Sequence, residues 1–139
     1  MSNIVDDTTP AQRGKDKDKE IYESTTHMLL ALKLQPEIAG FDYLREAIVL
    51  VYKDKKLAES GIKKLYSIVA DNFNVSSNIV EKAIRTIVDG GYFSMGALAI
   101  NEFFDEIVYT HNLPISNALA IYALSEILRL KIMRVASEN

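Results

Sequence analysis

The sequence predicts an all-α fold, a compact domain of six helices, and three observations carry that prediction. From residue 21 onward, apolar side chains recur at spacings of three and four, the period of a helix buried on one side. The runs are separated at Pro36, Gly40, Gly90-Gly91 and Asn112-Leu113-Pro114, residue types that stop helices or make turns. Residues 66–89 also have the spacing of a helix-turn-helix, which would join the third and fourth helices.

Residues 1–18 lack apolar periodicity, and Thr8-Thr9-Pro10 and Lys15-Asp16-Lys17-Asp18-Lys19 read as a flexible polar tail ahead of a domain spanning 19–139. Ile21, Thr25, Met28, Leu29 and Leu32 share one face of a first helix that must stop before Pro36. Gly40 reads as a break. A second helix follows from Phe41 to Tyr52, with Leu44, Ala47, Ile48 and Val51 as its inward stripe. Ile48 to Val51 are apolar on nearly all sides, which predicts a central position, and the preceding Leu44-Arg45-Glu46-Ala47 favours helix over strand. The third helix should start near Ala58 or Gly61 and end at Asn72, and the fourth should run from Ser77 to Asp89. A fifth is expected from Ser94 to Val108. A sixth, from Ser116 to Val135, carries Leu119, Ala120, Ala123, Leu124, Ile127, Leu128 and Ile132, a face wide enough to be core throughout or to meet a partner in part.

Within the helix-turn-helix, Ala70 is small where the second helix crosses closely. Asn74 occupies the turn position that wants φ > 0, a conformation Asn tolerates better than most residues. Val75 would plug the corner and Ser76 would cap the next helix. Val80 and Ile84 then point inward. Ser77, Asn78, Glu81, Lys82 and Arg85 are left on the outer face, where a recognition helix carries its base-reading groups.

The charge distribution points the same way. The whole chain carries a net charge of −3, yet residues 53–85 hold seven basic against four acidic side chains. Lys53, Lys55, Lys56, Lys63, Lys64, Lys82 and Arg85 are those cations, and a basic patch on an acidic protein is what phosphate contact by one face requires. The chain has no cysteine, which excludes disulfides and thiolate metal sites and fits a reducing cytoplasm. There is no apolar run of about 18 residues for a membrane span, and the polar, acidic N-terminus is not a signal peptide.

Nothing resembles a catalytic constellation, and neither cofactor nor metal is expected. His27 and His111 are too far apart for a helical metal site. Glu102, Asp105 and Glu106 read as a solvated face. Gly90-Gly91 and Met95-Gly96 are not followed by the Gly-Lys-Ser/Thr of a phosphate loop. Tyr43, Tyr52, Tyr66, Tyr92, Tyr109 and Tyr122 are expected to place rings in the core and hydroxyls near the surface.

Two blocks, Gly40 to Tyr52 and Phe73 to Arg85, are similar to the C-terminal DNA-binding effector domain of the stage-zero sporulation response regulators. The similarity extends from about Ile21 to Lys131 and includes Phe103-Phe104 and Leu128-Arg129-Leu130. The resemblance implies a six-helix, non-enzymatic domain whose fourth helix enters the major groove of double-stranded DNA, with copies binding neighbouring repeats as dimers. It implies base-reading roles for Glu81 and Arg85. Lys82 stands where the family has an Arg, keeping the charge but losing the bidentate fork. The family's fifth helix helps contact RNA polymerase sigma factors, which would place that surface at Met95 to Val108.

With these roles, Arg85 reads guanine, Lys82 meets a base or phosphate, and Glu81 accepts from cytosine or orients Arg85. Ser76, Ser77 and Asn78 touch phosphates at the start of the helix, and Lys63 and Lys64 touch the flanking backbone. The chain departs from the family at Ile79 and Thr86, where the family has Arg and His, and at Gly90-Gly91, where smaller residues would shorten the helix. Family members carry a phosphoryl-accepting receiver ahead of this domain. Here Met1 and a polar lead of residues 1–20 precede the similarity, so the expectation is a regulator without its own receiver. The competing expectation is an interaction module or antagonist that keeps the fold and pairs with a related regulator or sigma factor without reading DNA. The acidic balance, Ile79 and Thr86 favour it.

Overall fold

The computed structural model of the chain describes residues 9–59, 61–90 and 116–138. The expected fifth helix with its Met95–Val108 surface, the turn at Asn112 to Pro114, Tyr92, Tyr109, His111 and the acidic trio at Glu102, Asp105 and Glu106 lie outside the described residues. Among the described residues all regular structure is helical: α1 (Pro10–Ala31), α2 (Ala39–Lys53), the single turn α3 (Lys56–Glu59), α4 (Ile62–Phe73), α5 (Ser77–Asp89) and α6 (Asn117–Glu138). The expected third, fourth and sixth helices are therefore α4, α5 and α6.

Helix α1 begins earlier than the apolar pattern suggested. Thr9 caps it, accepting from the Gln12 N–H at 3.1 Å, and Pro10 sits at its first position, where a missing N–H costs nothing. Residues 10–20 are exposed but helical, so the expected flexible tail of 1–18 is corrected from Pro10 onward. Hydrophobic periodicity could not reveal this stretch because none of it is buried. From Ile21 the expected face holds, with Ile21, Thr25, Met28, Leu29 and Leu32 all buried. The helix ends with Lys33 left-handed at φ 68°, and the Leu34 N–H returns to the Leu29 carbonyl at 3.2 Å.

Helix α2 is central and packs against every other described helix. Ile48 to Val51 are helical, and Phe41, Leu44, Ala47, Ile48, Val49 and Val51 are buried. The expected break at Gly40 is corrected: the residue lies inside the first turn of α2. A Cβ added there would sit 2.5 Å from the Ala83 carbonyl oxygen of α5. The absent side chain lets two backbones touch, which is the physical reason for glycine at this position.

The core also takes Leu65, Val69 and Ala70 from α4, Val80, Ile84, Ile87 and Val88 from α5, and Ala120, Ile121, Leu124, Ile127 and Leu128 from α6. One assignment on α6 is corrected. Leu119 is exposed, and Ile121 is buried beside Ala120 in that turn. The helix is apolar on so many sides that its pattern could not choose between them. Among the tyrosines, Tyr66 is buried, Tyr43 and Tyr52 are half-buried, and Tyr122 is exposed rather than in the core.

Candidate nucleic-acid interface

The junction of α4 and α5 is built by local chemistry. Asn74 adopts the left-handed conformation, φ 56° and ψ 46°, that its position requires. The Val75 N–H reaches back to the Ala70 carbonyl at 3.0 Å and the Asn74 N–H to Asp71 at 3.3 Å, which satisfies the last carbonyls of α4. Val75 is half-buried against the core. The Ser76 hydroxyl then accepts from the Ile79 N–H at 3.3 Å and starts α5 at Ser77, and α5 ends at Asp89 with Gly90 as its cap. These features place α5 across α4 with Val80 and Ile84 inward, as the spacing predicted.

On the outside, a groove of about 550 Å³ runs between the start of α4 and α5. It gathers Lys63, Ser67, Ser77, Asn78, Glu81 and Arg85 on one open wall. Lys64, Ser76 and Lys82 are exposed but do not line it. The Ser76 oxygen serves as a helix cap, which leaves its hydroxyl hydrogen for an outside acceptor.

Six of the seven cations of the basic segment divide into two sets. Lys53 pairs with Asp18 at 2.8 Å and Lys55 with Glu126 at 3.0 Å, so both are tied to carboxylates away from the groove. The Glu126 carboxyl is opposed by burial, but hydrogen bonds from Lys55 and Arg129 outweigh it and hold it below its ordinary value. Among the described residues, Lys63, Lys64 and Lys82 form no ion pair. Arg85 pairs with Glu81, one turn back on the same helix, while its own side chain is 62% exposed. Lys63, Lys64, Lys82 and the exposed Arg85 all lie on α4 and α5.

Two residues that the sequence did not single out, Ser67 and Asn117, support this wall together with Tyr66. Ser67 stands 3.4 Å, oxygen to oxygen, from Ser77 and links the two helices near the start of α5. It lies one turn beyond Lys63, so helical spacing could have found it. Asn117, buried at the start of α6, donates both amide hydrogens, one to the Tyr66 hydroxyl at 2.9 Å and one to the Glu81 carbonyl at 3.2 Å. It joins α6 to both helices of the motif, and no local pattern signals it. Burial pushes the Tyr66 hydroxyl above its ordinary value; the Asn117 hydrogen bond works against this, Glu81 adds to it and Arg85 opposes it. The phenol therefore stays protonated and neutral beneath the groove at neutral pH.

The remaining expected groups fall elsewhere. His27 is exposed on α1. Ile79 is exposed on α5, and the Thr86 hydroxyl donates to the Lys82 carbonyl at 2.9 Å. No described helix is long and apolar enough to cross a membrane.

A family model described as sporulation initiation factor Spo0A C terminal matches residues 25–128, most of the sequence. The chain belongs to this family of non-enzymatic, helical, helix-turn-helix effector domains, which bind DNA and contact RNA polymerase.

Proposed function

We propose that this chain is a sequence-specific transcriptional regulator that binds double-stranded DNA by placing α5 in the major groove. The domain that does so occupies residues 19–139, with the exposed start of α1 ahead of it. The supporting observation is the set of outward cations on the helix-turn-helix: Lys63, Lys64 and Lys82 without a described carboxylate partner, and Arg85 largely exposed. An exposed helix with cations on its outer face matches the shape and charge of the groove.

In this reading Arg85 donates its two-pronged guanidinium to guanine. Glu81 orients Arg85 rather than accepting from cytosine, because its carboxylate already meets the guanidinium. Lys82 contacts a base or a phosphate. Ser76, Ser77 and Asn78 meet phosphates at the N-terminal end of α5, where unpaired N–H groups favour anions. Lys63 and Lys64 hold the flanking backbone. The regulated process would be sporulation, in the cytoplasm, with RNA polymerase as a protein partner and a second copy on adjacent DNA.

The test is titration of the protein against duplexes selected from a random pool, at several salt concentrations. With about four cations engaged, log affinity should fall against log salt with a slope of roughly −2 to −4 per monomer. Binding that ignores salt would overturn the reading. A second reading, an interaction module that pairs with a regulator or sigma factor, draws support from the exposed Leu119, Tyr122, Leu130 and Met133 on α6. They recur close to one side of that helix, with Glu126 between them. That reading gains if the protein shows no preference between selected and scrambled duplexes.

A further inference from the structure

One outward residue of α5 has no place in a scheme of charges and hydrogen bonds. Ile79 is 50% exposed in the first turn of the helix. Its backbone N–H is fixed by the Ser76 cap, and a β-branched side chain has little freedom at χ1. It is therefore a stiff apolar tip at the end of a recognition helix that reaches base edges first. An isolated exposed isoleucine is ordinary on a protein surface. This one shares an edge of α5 with Lys82, three residues on, and Thr86, a further four. The Thr86 hydroxyl donates its hydrogen to the Lys82 carbonyl, which leaves its methyl and an acceptor oxygen but no donor for a ligand. That edge of the helix thus offers apolar surface around one cation. In the major groove, the base-edge feature that apolar side chains recognise is the C5-methyl group of thymine.

We propose that Ile79 is a specificity-determining residue that reads the C5-methyl of a thymine in the bound site. The inference rests on the DNA-binding reading above and adds a second kind of contact to it. Arg85 and Lys82 supply hydrogen bonds and charge, and Ile79 discriminates by the presence of one methyl group.

The experiment uses the full chain and the tightest duplex recovered from a randomised pool. Each thymine is replaced in turn by uracil, which removes the methyl and keeps the pairing edge. For the native protein, one replacement should weaken binding by about three- to fivefold, the effect of burying one methyl. Ile79→Ala should bind the thymine and uracil duplexes within about twofold of each other, and Ile79→Val should keep most of the preference. At the same base pair, 5-methylcytosine should bind better than cytosine for the native protein and not for Ile79→Ala. A uracil effect of equal size in the native protein and Ile79→Ala would overturn the proposal, since the methyl would then be read by another group or through duplex shape. So would a selected site at which no thymine is sensitive, and in that case DNA binding itself stands. Failure of the pool to yield any enriched sequence would overturn the proposal and the DNA-binding reading together.

Discussion

Helix α5 presents Val80, Ile84, Ile87 and Val88 inward, all buried, and Asn78, Lys82, Arg85 and Thr86 outward, all exposed. The inner side is fixed by close packing, to the point that the α2 backbone at Gly40 touches the Ala83 carbonyl. The outer side is fixed by almost nothing beyond its own helix, with Glu81 holding Arg85 and Thr86 bonded to Lys82. One side is thus positioned by packing and the other only by contacts within its own helix. A change on the inner side should alter stability first and binding only through it. A change on the outer side should do the reverse.

The inner side offers the largest expected effects. Ile84→Ala removes a fully buried side chain and should cost about 2–5 kcal/mol in urea denaturation. Gly40→Ala forces a methyl against a backbone oxygen and should cost about 1–3 kcal/mol or more. If Gly40→Ala were neutral, the contact between α2 and α5 would be wrong, and with it the orientation of α5.

Arg85→Ala sharpens the contrast from the other side. It should leave the urea midpoint nearly unchanged but cost about 1–3 kcal/mol against the preferred duplex and flatten preference at one base pair. Arg85→Lys should resemble Arg85→Ala in specificity, because an ammonium cannot reproduce the planar fork. If Arg85→Ala and Lys63→Ala shift selected and scrambled duplexes by the same factor, α5 is not the reading helix.

The smallest effect separates the two sets of lysines. Lys63→Ala should weaken all sequences about equally and reduce the salt slope by roughly one. Lys53→Ala, whose ammonium is tied to Asp18, should leave the slope alone. Equal changes in slope would mean that the basic segment acts as diffuse charge rather than through its outward cations.

Much of the motif was legible because its signals are local. Asn74, Val75 and Ser76 each solve a backbone problem within five residues of themselves, and the start of α5 follows from them. Features set by distant elements were not legible. Gly40 looks like a helix stop until α5 is laid across it. Leu119 and Ile121 are equally apolar in the sequence, and only the position of α2 decides which is buried. The first turns of α1 bury nothing, so they leave no periodic trace. At the site itself, spacing gave the outer face of α5, but Lys53 and Lys55 looked equivalent to Lys63 until Asp18 and Glu126 were placed beside them.

The Asn117 clasp bears on the order in which the molecule assembles. Its hydrogen bond to Tyr66 closes 51 positions of chain, whereas Ser67 and Ser77 meet across 10. Along a bare chain that difference adds about 1.4 kcal/mol of closure entropy. Contacts within the helix-turn-helix are therefore kinetically cheap, and those that tie α6 to it are slow to arrive. Early in folding, α5 can form while its pitch against α6 is still unfixed. The Asn117 bonds to Tyr66 and Glu81 then fix that pitch.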